Sequence, residues 1–360
     1  MQTHYDYIEY YVGMAKMVVF WHTRAMGFEV VAYSGPETGV PDKVSYLLQK
    51  QNIRLLITAA YKPQMHEIVN YVDRHGNSVK RLAIKVADVP AAYQQALERG
   101  AIPILPPQKN YEEGLGFAEE AAIKLFDDNE ILFFDNQHYQ GIFKPGFKQV
   151  NTSLPTFNSQ LQHIDHIACA LRENETHIWE QYLSRIFDYT TTQRLDPKNQ
   201  THPQIGMELK VMQSPQHTVD KVLVSPDQQG TKTQIHTFLE ANYGTGIQHL
   251  AFHSADIVHT VTQLRQHGVE FTPIPAQYYQ IIKNQYPDLA IEPLEKVGIL
   301  CEPDGDSLLL QVFTKPIGDR PTLFYEIIQR VNNYRGFGMG NIRALFEAIA
   351  LELEKNNGQA

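Results

Sequence analysis

Cysteine is nearly missing from this chain. The two that occur, Cys169 and Cys301, exclude a disulfide framework and a zinc ribbon. Basic clusters are missing too. Lysine and arginine number 31 against 40 acidic residues, a net charge of −9, which argues against nucleic acid or an anionic membrane as partner. No apolar run is long enough to span a bilayer. Met1-Gln-Thr-His-Tyr-Asp-Tyr-Ile shows no signal-peptide pattern and opens directly into a strand pattern. These absences point to a cytoplasmic protein with no membrane segment. At 360 residues, two ordinary domains with real cores are within reach.

What the chain does have is a repeat. Gly76-Asn-Ser-Val-Lys-Arg-Leu-Ala-Ile-Lys-Val-Ala-Asp88 aligns without a gap on Gly244-Thr-Gly-Ile-Gln-His-Leu-Ala-Phe-His-Ser-Ala-Asp256. The match continues through Ala92 to Pro106 and Thr260 to Ile274. Strand alternation puts Ile247, His249 and Ala251 on one face and Gln248, Leu250 and Phe252 on the other. His163-Ile-Asp-His-Ile-Ala-Cys-Ala-Leu171 repeats Asp6-Tyr-Ile-Glu-Tyr-Tyr-Val12, with His166 opposite Tyr7. His249 stands where the first copy has Arg81. A residue that the fold needs would recur in both copies; one found in a single copy is a candidate for chemistry.

The chain in order reads as strand, helix and three strands, four times over. The units open at Tyr5, Val79, His163 and Gly244. The first two make a domain over 1–150 and the last two a domain over 151–360. Asn136 to Leu161, rich in Pro, Gly, Asn, Ser and Thr, reads as the linker. Four such units would curl into two half-barrels. After Gly336-Phe-Gly-Met-Gly340, the spacing of Ile342, Leu345, Phe346, Ile349 and Leu353 predicts an amphipathic helix. It serves either as a cover over the second half or as a seal on a sheet edge. The glycine spacing does not fit a phosphate loop, so a hinge is expected there.

Three ligand-type residues fall on strands of the second half: His166, His249 and Glu326. Two imidazoles and a carboxylate on one face of a metal leave three positions open, the arrangement of non-haem iron(II) oxygenases. Each has an ordinary alternative. With 15 histidines present, a strand histidine is commonly just packed or solvated. Glu326 lies among Phe324, Tyr325, Ile327 and Ile328, where a carboxylate is costly unless paired or metal-bound; an ion pair with Arg330 would equally satisfy it. Asp165, next to His166, is expected on the opposite strand face.

Taken together, Ile164-Asp-His-Ile167, Gly246-Ile-Gln-His-Leu-Ala-Phe252, Leu310-Gln-Val-Phe-Thr-Lys315, Arg320-Pro-Thr-Leu-Phe-Tyr-Glu-Ile-Ile-Gln-Arg330 and Gly336-Phe-Gly-Met-Gly-Asn-Ile342 resemble the family of 4-hydroxyphenylpyruvate dioxygenase and 4-hydroxymandelate synthase. The resemblance covers almost the whole chain. It implies an α+β, vicinal-oxygen-chelate fold of four βαβββ modules in two half-barrels, with a C-terminal gating helix. It implies Fe(II) held by His166, His249 and Glu326, and Gln234, Gln248 and Gln311 as catalytic glutamines. The implied pocket contains Leu209, Val224, Phe313, Phe324, Asn341 and Ile342. An aryl 2-oxo acid and dioxygen are the implied substrates, and a homodimer the implied assembly.

Departures from the family pattern bear on the product. Ile342 stands where the dioxygenase branch has phenylalanine and the synthase branch isoleucine. Val224, in Val222-Leu-Val-Ser-Pro226, replaces an asparagine of the dioxygenase pattern. Both lean toward benzylic hydroxylation and a mandelate, with ring hydroxylation to homogentisate as the alternative. Leu209 fits neither branch, since both carry a pocket serine there. The oilier pocket suits phenylpyruvate or a similar 2-oxo acid, because an unpaired buried phenol is disfavoured. A binding module that sequesters a small molecule without turnover is the alternative of another class; it predicts a missing ligand, and none is missing.

Overall fold

The computed structural model describes residues 4–150, 157–195, 206–227 and 232–345. The first module comprises β1 (His4–Tyr11), α1 (Ala15–Ala25), β2 (Glu29–Ser34), β3 (Lys43–Lys50) and β4 (Ile53–Ala60). Helix α2 (His66–His75) leads into the second: β5 (Ser78–Lys85), α3 (Val89–Glu98), β6 (Pro103–Glu112), β7 (Gly116–Leu125) and β8 (Asn129–Asp135). The short β9 (Lys148–Gln149) pairs with β2. The third module is β10 (Leu161–Ala170), α4 (Thr176–Phe187), β11 (Thr190–Leu195), β12 (Met207–Gln213) and β13 (Lys221–Pro226). Helix α5 (Gln234–Ala241) precedes the fourth: β14 (Gly246–Ser254), α6 (Ile257–Gln266), α7 (Ala276–Gln285), α8 (Glu292–Val297), β15 (Leu300–Asp304), β16 (Ser307–Phe313) and β17 (Phe324–Val331). A last helix, α9, is described over 339–345.

The modules join in pairs, giving sheets ordered β6-β7-β8-β5-β1-β4-β3-β2-β9 and β11-β12-β13-β10-β14-β17-β16-β15. In each half the first strands of two modules meet antiparallel, β1 with β5 and β10 with β14, and each lies parallel to the last strand of its own module. The sequence repeat has a local cause. Asp88 caps α3 through Ala91 N, and Asp256 caps α6 through His259 N. Both helices are followed by a left-handed glycine, Gly100 (φ 87°) and Gly268 (φ 89°), the usual way to leave a helix without a Cβ clash.

One apolar core runs through both halves. It takes Val19, Tyr93, Leu183 and Val261 from the helices and one face of each central strand, among them Ile8, Leu82, Ile167, Leu250 and Phe252. The other strand faces form separate concave interiors, around Tyr7, Phe134 and Phe143 in the first half and around Ala168, Leu209 and Val224 in the second. Polar ties reinforce the seam between halves. Lys221, fully buried, donates to the hydroxyls of Tyr5 (3.0 Å) and Tyr189 (2.9 Å). Tyr325 meets both Tyr10 (3.1 Å) and His22 Nε2 (2.6 Å).

Several expectations need revision. Helices α2, α5, α7 and α8 were not expected, although α2 carries Ile68, Tyr71 and His75 and α5 carries Ile235 and Phe238 at helical spacing, and β6–β7 is a longer hairpin than the pattern suggested. Asn136 to Leu161 is not simply a linker: Phe143 and Phe147 are buried in the first half's concave interior. In the predicted C-terminal helix, Phe346, Ile349 and Leu353 lie outside the described residues. Among the described residues no helix is long and apolar enough to cross a membrane.

Candidate metal centre

Strict alternation is broken on both strands that carry the histidines, and the breaks build the site. On β10 the pairing steps from Ile164↔Phe252 to His166↔Ala251, leaving Asp165 as a bulge. On β14 it steps from Ala168↔His249 to Cys169↔Ile247, leaving Gln248 unpaired. A bulge re-aims the residues beside it. Two readings change as a result. Ile247 joins Leu250 and Phe252 in the shared core instead of sharing a face with His249. Asp165 is not turned away from His166: its Oδ1 accepts from His166 Nδ1 at 2.9 Å. Gln248 Oε1 lies 3.3 Å from His249 Nδ1. Each bulge residue thus holds the Nδ1 of the histidine after it and leaves Nε2 free to face the concave interior.

The two Nε2 atoms converge on one carboxylate oxygen. Glu326 Oε2 is 3.2 Å from His166 Nε2 and 3.3 Å from His249 Nε2. Glu326 sits on β17 opposite Ala251, which on its other side pairs with His166, and His249 lies two residues before Ala251 on β14. The ligand atoms of the three residues all lie within 4.8 Å of one another. Ligands bound at about 2.1 Å to one ion lie about 3 Å apart when adjacent, so the donor set fits a metal with little adjustment. The pairing of Nδ1 to an outer oxygen is also how metal-bound imidazoles are usually oriented. Glu326 is not paired with Arg330; that guanidinium binds Asp165 bidentately at 2.7 and 2.8 Å.

Electrostatics of the bare triad agree with a site built for a cation. Burial pushes the Glu326 carboxyl up, but His166 and His249 outweigh it and bring it down to about 2. Burial disfavours charge on His166, yet Glu326 and Asp165 overcome this and raise it to about 9. On His249 burial prevails and the imidazole is pushed down. A buried carboxylate in such surroundings costs several kcal/mol, on the order given for ions moved from water, unless a cation or protonated partner compensates it.

Around the triad the residues expected to line a pocket separate into groups. Phe324 stacks on His249 (4.9 Å, 30°) and Phe313 meets it edge-on (5.8 Å). Leu209 and Val224 are cross-strand neighbours, both buried, and Ile342 packs on the same apolar cluster with Phe337 and Met339. Gln311 and Asn341 are buried, and Gln311 Oε1 and Asn341 Nδ2 have no hydrogen-bond partner. Tyr278 donates to Asn341 Oδ1 at 2.7 Å and so holds that side chain in place. Gly338 is required where it stands. Its φ is +78°, and a Cβ there would come within 2.4 Å of Gln311 Oε1. Gln234 is not brought in with the other glutamines; it is exposed at the start of α5, whose buried face is Ile235 and Phe238. His163 and His253 stack on each other (4.6 Å, 13°). Arg330 was expected only as an ion-pair partner of Glu326; its pairing with Asp165 follows from the bulge, which the sequence does not mark.

Comparison with known proteins agrees with this geometry. Residues 165–283 match the family model described as Glyoxalase/Bleomycin resistance protein/Dioxygenase superfamily. The chain is 32% identical over 369 residues to 4-hydroxyphenylpyruvate dioxygenase of Tetrahymena thermophila, covering 98% of this chain and 90% of that one. It is 32% identical over 367 residues to the 4-hydroxyphenylpyruvate dioxygenase of Yarrowia lipolytica, covering 98% and 92%. A substituted 4-hydroxymandelate synthase from Streptomyces coelicolor superposes with TM-score 0.83 at 30% identity, over 97% of this chain and 98% of that one. The two curled half-barrels are therefore the vicinal-oxygen-chelate fold.

Proposed function

The chain belongs to the family of 4-hydroxyphenylpyruvate dioxygenase and 4-hydroxymandelate synthase, and from that premise we propose that it is an Fe(II)-dependent dioxygenase that oxidatively decarboxylates an aryl 2-oxo acid to a mandelate. His166, His249 and Glu326 would hold the metal. When bound, iron(II) supplies coordination and electrons for reaction of dioxygen with the 2-oxo acid.

The chain's own residues do the rest. Asp165 and Gln248 orient the two imidazoles through Nδ1. Phe313 and Phe324 flank His249 and offer an aromatic surface for an aryl ring, a pairing worth about 0.5–1.5 kcal/mol beyond area burial. Gln311 Oε1 and Asn341 Nδ2, buried and unpartnered, are an acceptor and a donor awaiting polar groups of a substrate, since such atoms are costly to leave unmatched. Phe337, Met339 and Ile342 roof the apolar cluster and keep water from it.

The observation that carries the product assignment is the apolar wall of Leu209, Val224 and Ile342. An aliphatic Ile342 leaves an aryl ring room to turn its benzylic carbon inward. The Leu209–Val224 pair offers no hydrogen bond to a ring hydroxyl, so phenylpyruvate or a similarly apolar 2-oxo acid is the preferred substrate. A second reading, ring hydroxylation of 4-hydroxyphenylpyruvate to homogentisate, is favoured by the names of the Tetrahymena and Yarrowia relatives.

The test is to supply the iron-loaded protein with phenylpyruvate and with 4-hydroxyphenylpyruvate, follow oxygen uptake, and identify products by mass spectrometry. Mandelate products with faster turnover of phenylpyruvate are expected. Homogentisate would establish the second reading. Absence of oxygen uptake with either acid would leave a binding protein.

A further inference from the structure

One guanidinium joins the metal centre to the segment that roofs its pocket. Arg330 Nε and Nη2 donate to Asp165 Oδ2 and Oδ1 at 2.7 and 2.8 Å, and Asp165 Oδ1 receives His166 Nδ1. On its other side, Arg330 Nη1 donates to the carbonyls of Tyr334 (3.2 Å) and Gly336 (2.6 Å). The guanidinium also lies 4.8 Å from the ring centre of Phe337, and that ring meets His166 edge-on at 5.2 Å. Tyr334, Gly336 and Phe337 begin the segment that ends in α9 and packs Phe337, Met339 and Ile342 on the apolar cluster of Leu209 and Val224.

We propose that Arg330 is a positioning residue that couples closure of segment 334–345 to metal binding at His166. Arginine suits the task because its planar fork grips a carboxylate bidentately and still has donors for carbonyls on its far edge. The bolt is reachable by water. Asp165, Arg330, Tyr334 and Phe337 line a cavity of about 320 Å³ together with exposed Asn333 and Arg335. Water can therefore replace the two carbonyl bonds when the segment lifts. Lifting removes the carbonyls and Phe337 from Arg330, and so loosens the support of the Asp165–His166 pair. Coupling is reciprocal: a metal that fixes the His166 ring favours the closed segment. Iron loading would then prepare the roof under which the substrate is held.

The inference rests on the metal-centre reading, and the experiment separates the two. Exposed Arg335 and Arg343 report opening of the segment as trypsin sites. Cleavage at these positions is followed anaerobically, without metal and with saturating iron(II), in the full chain and in Arg330→Gln and Asp165→Asn. In the unaltered protein, iron is expected to slow cleavage about 10-fold, within the range typical of coupled sites. Both variants should lose this protection, falling below about 2-fold, and bind iron about 10–100-fold more weakly, as for other supports of metal-bound histidine. A merely structural Arg330 would lower thermal stability but leave the ratio of cleavage rates with and without iron unchanged. Iron binding by the unaltered protein with no protection, or equal protection in both variants, overturns the coupling. Failure of the unaltered protein to take up iron overturns the metal centre and the coupling with it.

Discussion

The two half-barrels share their bulges but not their contents. In the first half the β1–β5 register breaks at Asp6 and Lys80, the places where the second half breaks at Asp165 and Gln248. Position by position, however, the first half holds Tyr7 for His166, Arg81 for His249 and Leu132 for Glu326. Where the second half has Ala168, Val224, Leu209 and Phe324, the first has Glu9, Thr58, Ser45 and Glu130. Those residues satisfy one another. Arg81 binds Glu130 (2.6 Å), Glu9 (3.1 Å) and Glu67 (2.7 Å), and Glu9 accepts from Thr58, which meets Ser45 at 2.9 Å. Phe143 and Phe147 fill the remaining space. The same backbone thus makes a closed ion-pair network in one half and an apolar cup with three convergent ligand-type side chains in the other. Bulges belong to the module; chemistry depends on what the inward side chains leave unsatisfied.

The largest effect should come from writing the first half's residue into the second. Glu326→Leu introduces the side chain of Leu132's register position and removes the carboxylate that meets both imidazoles. Iron content by elemental analysis should fall to background, and oxygen uptake by at least about 10³-fold, the scale of removing an essential group. Retained stoichiometric iron would show that the comparison misplaces the centre.

In the opposite half, Arg81→Ala should damage stability and spare chemistry. It strips the shared cation from Glu9 and Glu130, both buried, and breaking a buried ion pair from one side costs about 3–5 kcal/mol. Denaturant unfolding measures the loss, and activity per folded molecule should be unchanged. Adding Glu9→Gln should recover part of it.

The seam between halves should be sensitive to acid. His22 is buried against Tyr325, and burial pushes its imidazole down to about 4, partly opposed by its bond to the Val18 carbonyl. A depressed histidine leaves the unfolded chain binding the extra proton first. Stability is therefore fully present above about pH 6.5 and declines as pH falls toward about 4, by at most about 3 kcal/mol. Replacing His22 with Gln should flatten that part of the stability profile in urea titrations across pH.

The smallest expected effect sharpens the contrast in pocket polarity. Leu209→Ser restores a hydroxyl at the register position where the first half keeps Ser45. One hydrogen bond to a phenol is worth about 1 kcal/mol, so kcat/KM for 4-hydroxyphenylpyruvate relative to phenylpyruvate should rise about 5–10-fold. An unchanged ratio would remove Leu209 from the determinants of substrate choice.

Periodicity, glycine turns and the Gly76/Gly244 repeat were enough to give four modules in two halves, because these signals are local; the triad stood out only as ligand-type residues with ordinary alternatives, and the family resemblance singled it out. Asp capping of α3 and α6 is written in the repeat itself. Helix α8 was not legible, since six residues with Leu294 as the buried apolar side chain are too few to show a period; α7 was missed although Tyr278, Tyr279 and Ile282 recur at helical spacing. Gln234 was grouped with Gln248 and Gln311 as catalytic by resemblance, and only the packing of Ile235 and Phe238 turns it to solvent.

By itself the sequence determined which half carries ligand-type residues, for side-chain identity is independent of folding. Only the tertiary structure decided how they act together. A bulge costs one unpaired residue and reverses the facing rule after it, and nothing in a run such as Ile164-Asp-His-Ile167 marks where the pairing will slip. The slip on β10 sets Asp165 beside His166 and within reach of Arg330, a partner distant in the chain, and so ties an imidazole to the roof of the pocket through contacts that exist only once β10, β14 and β17 lie side by side.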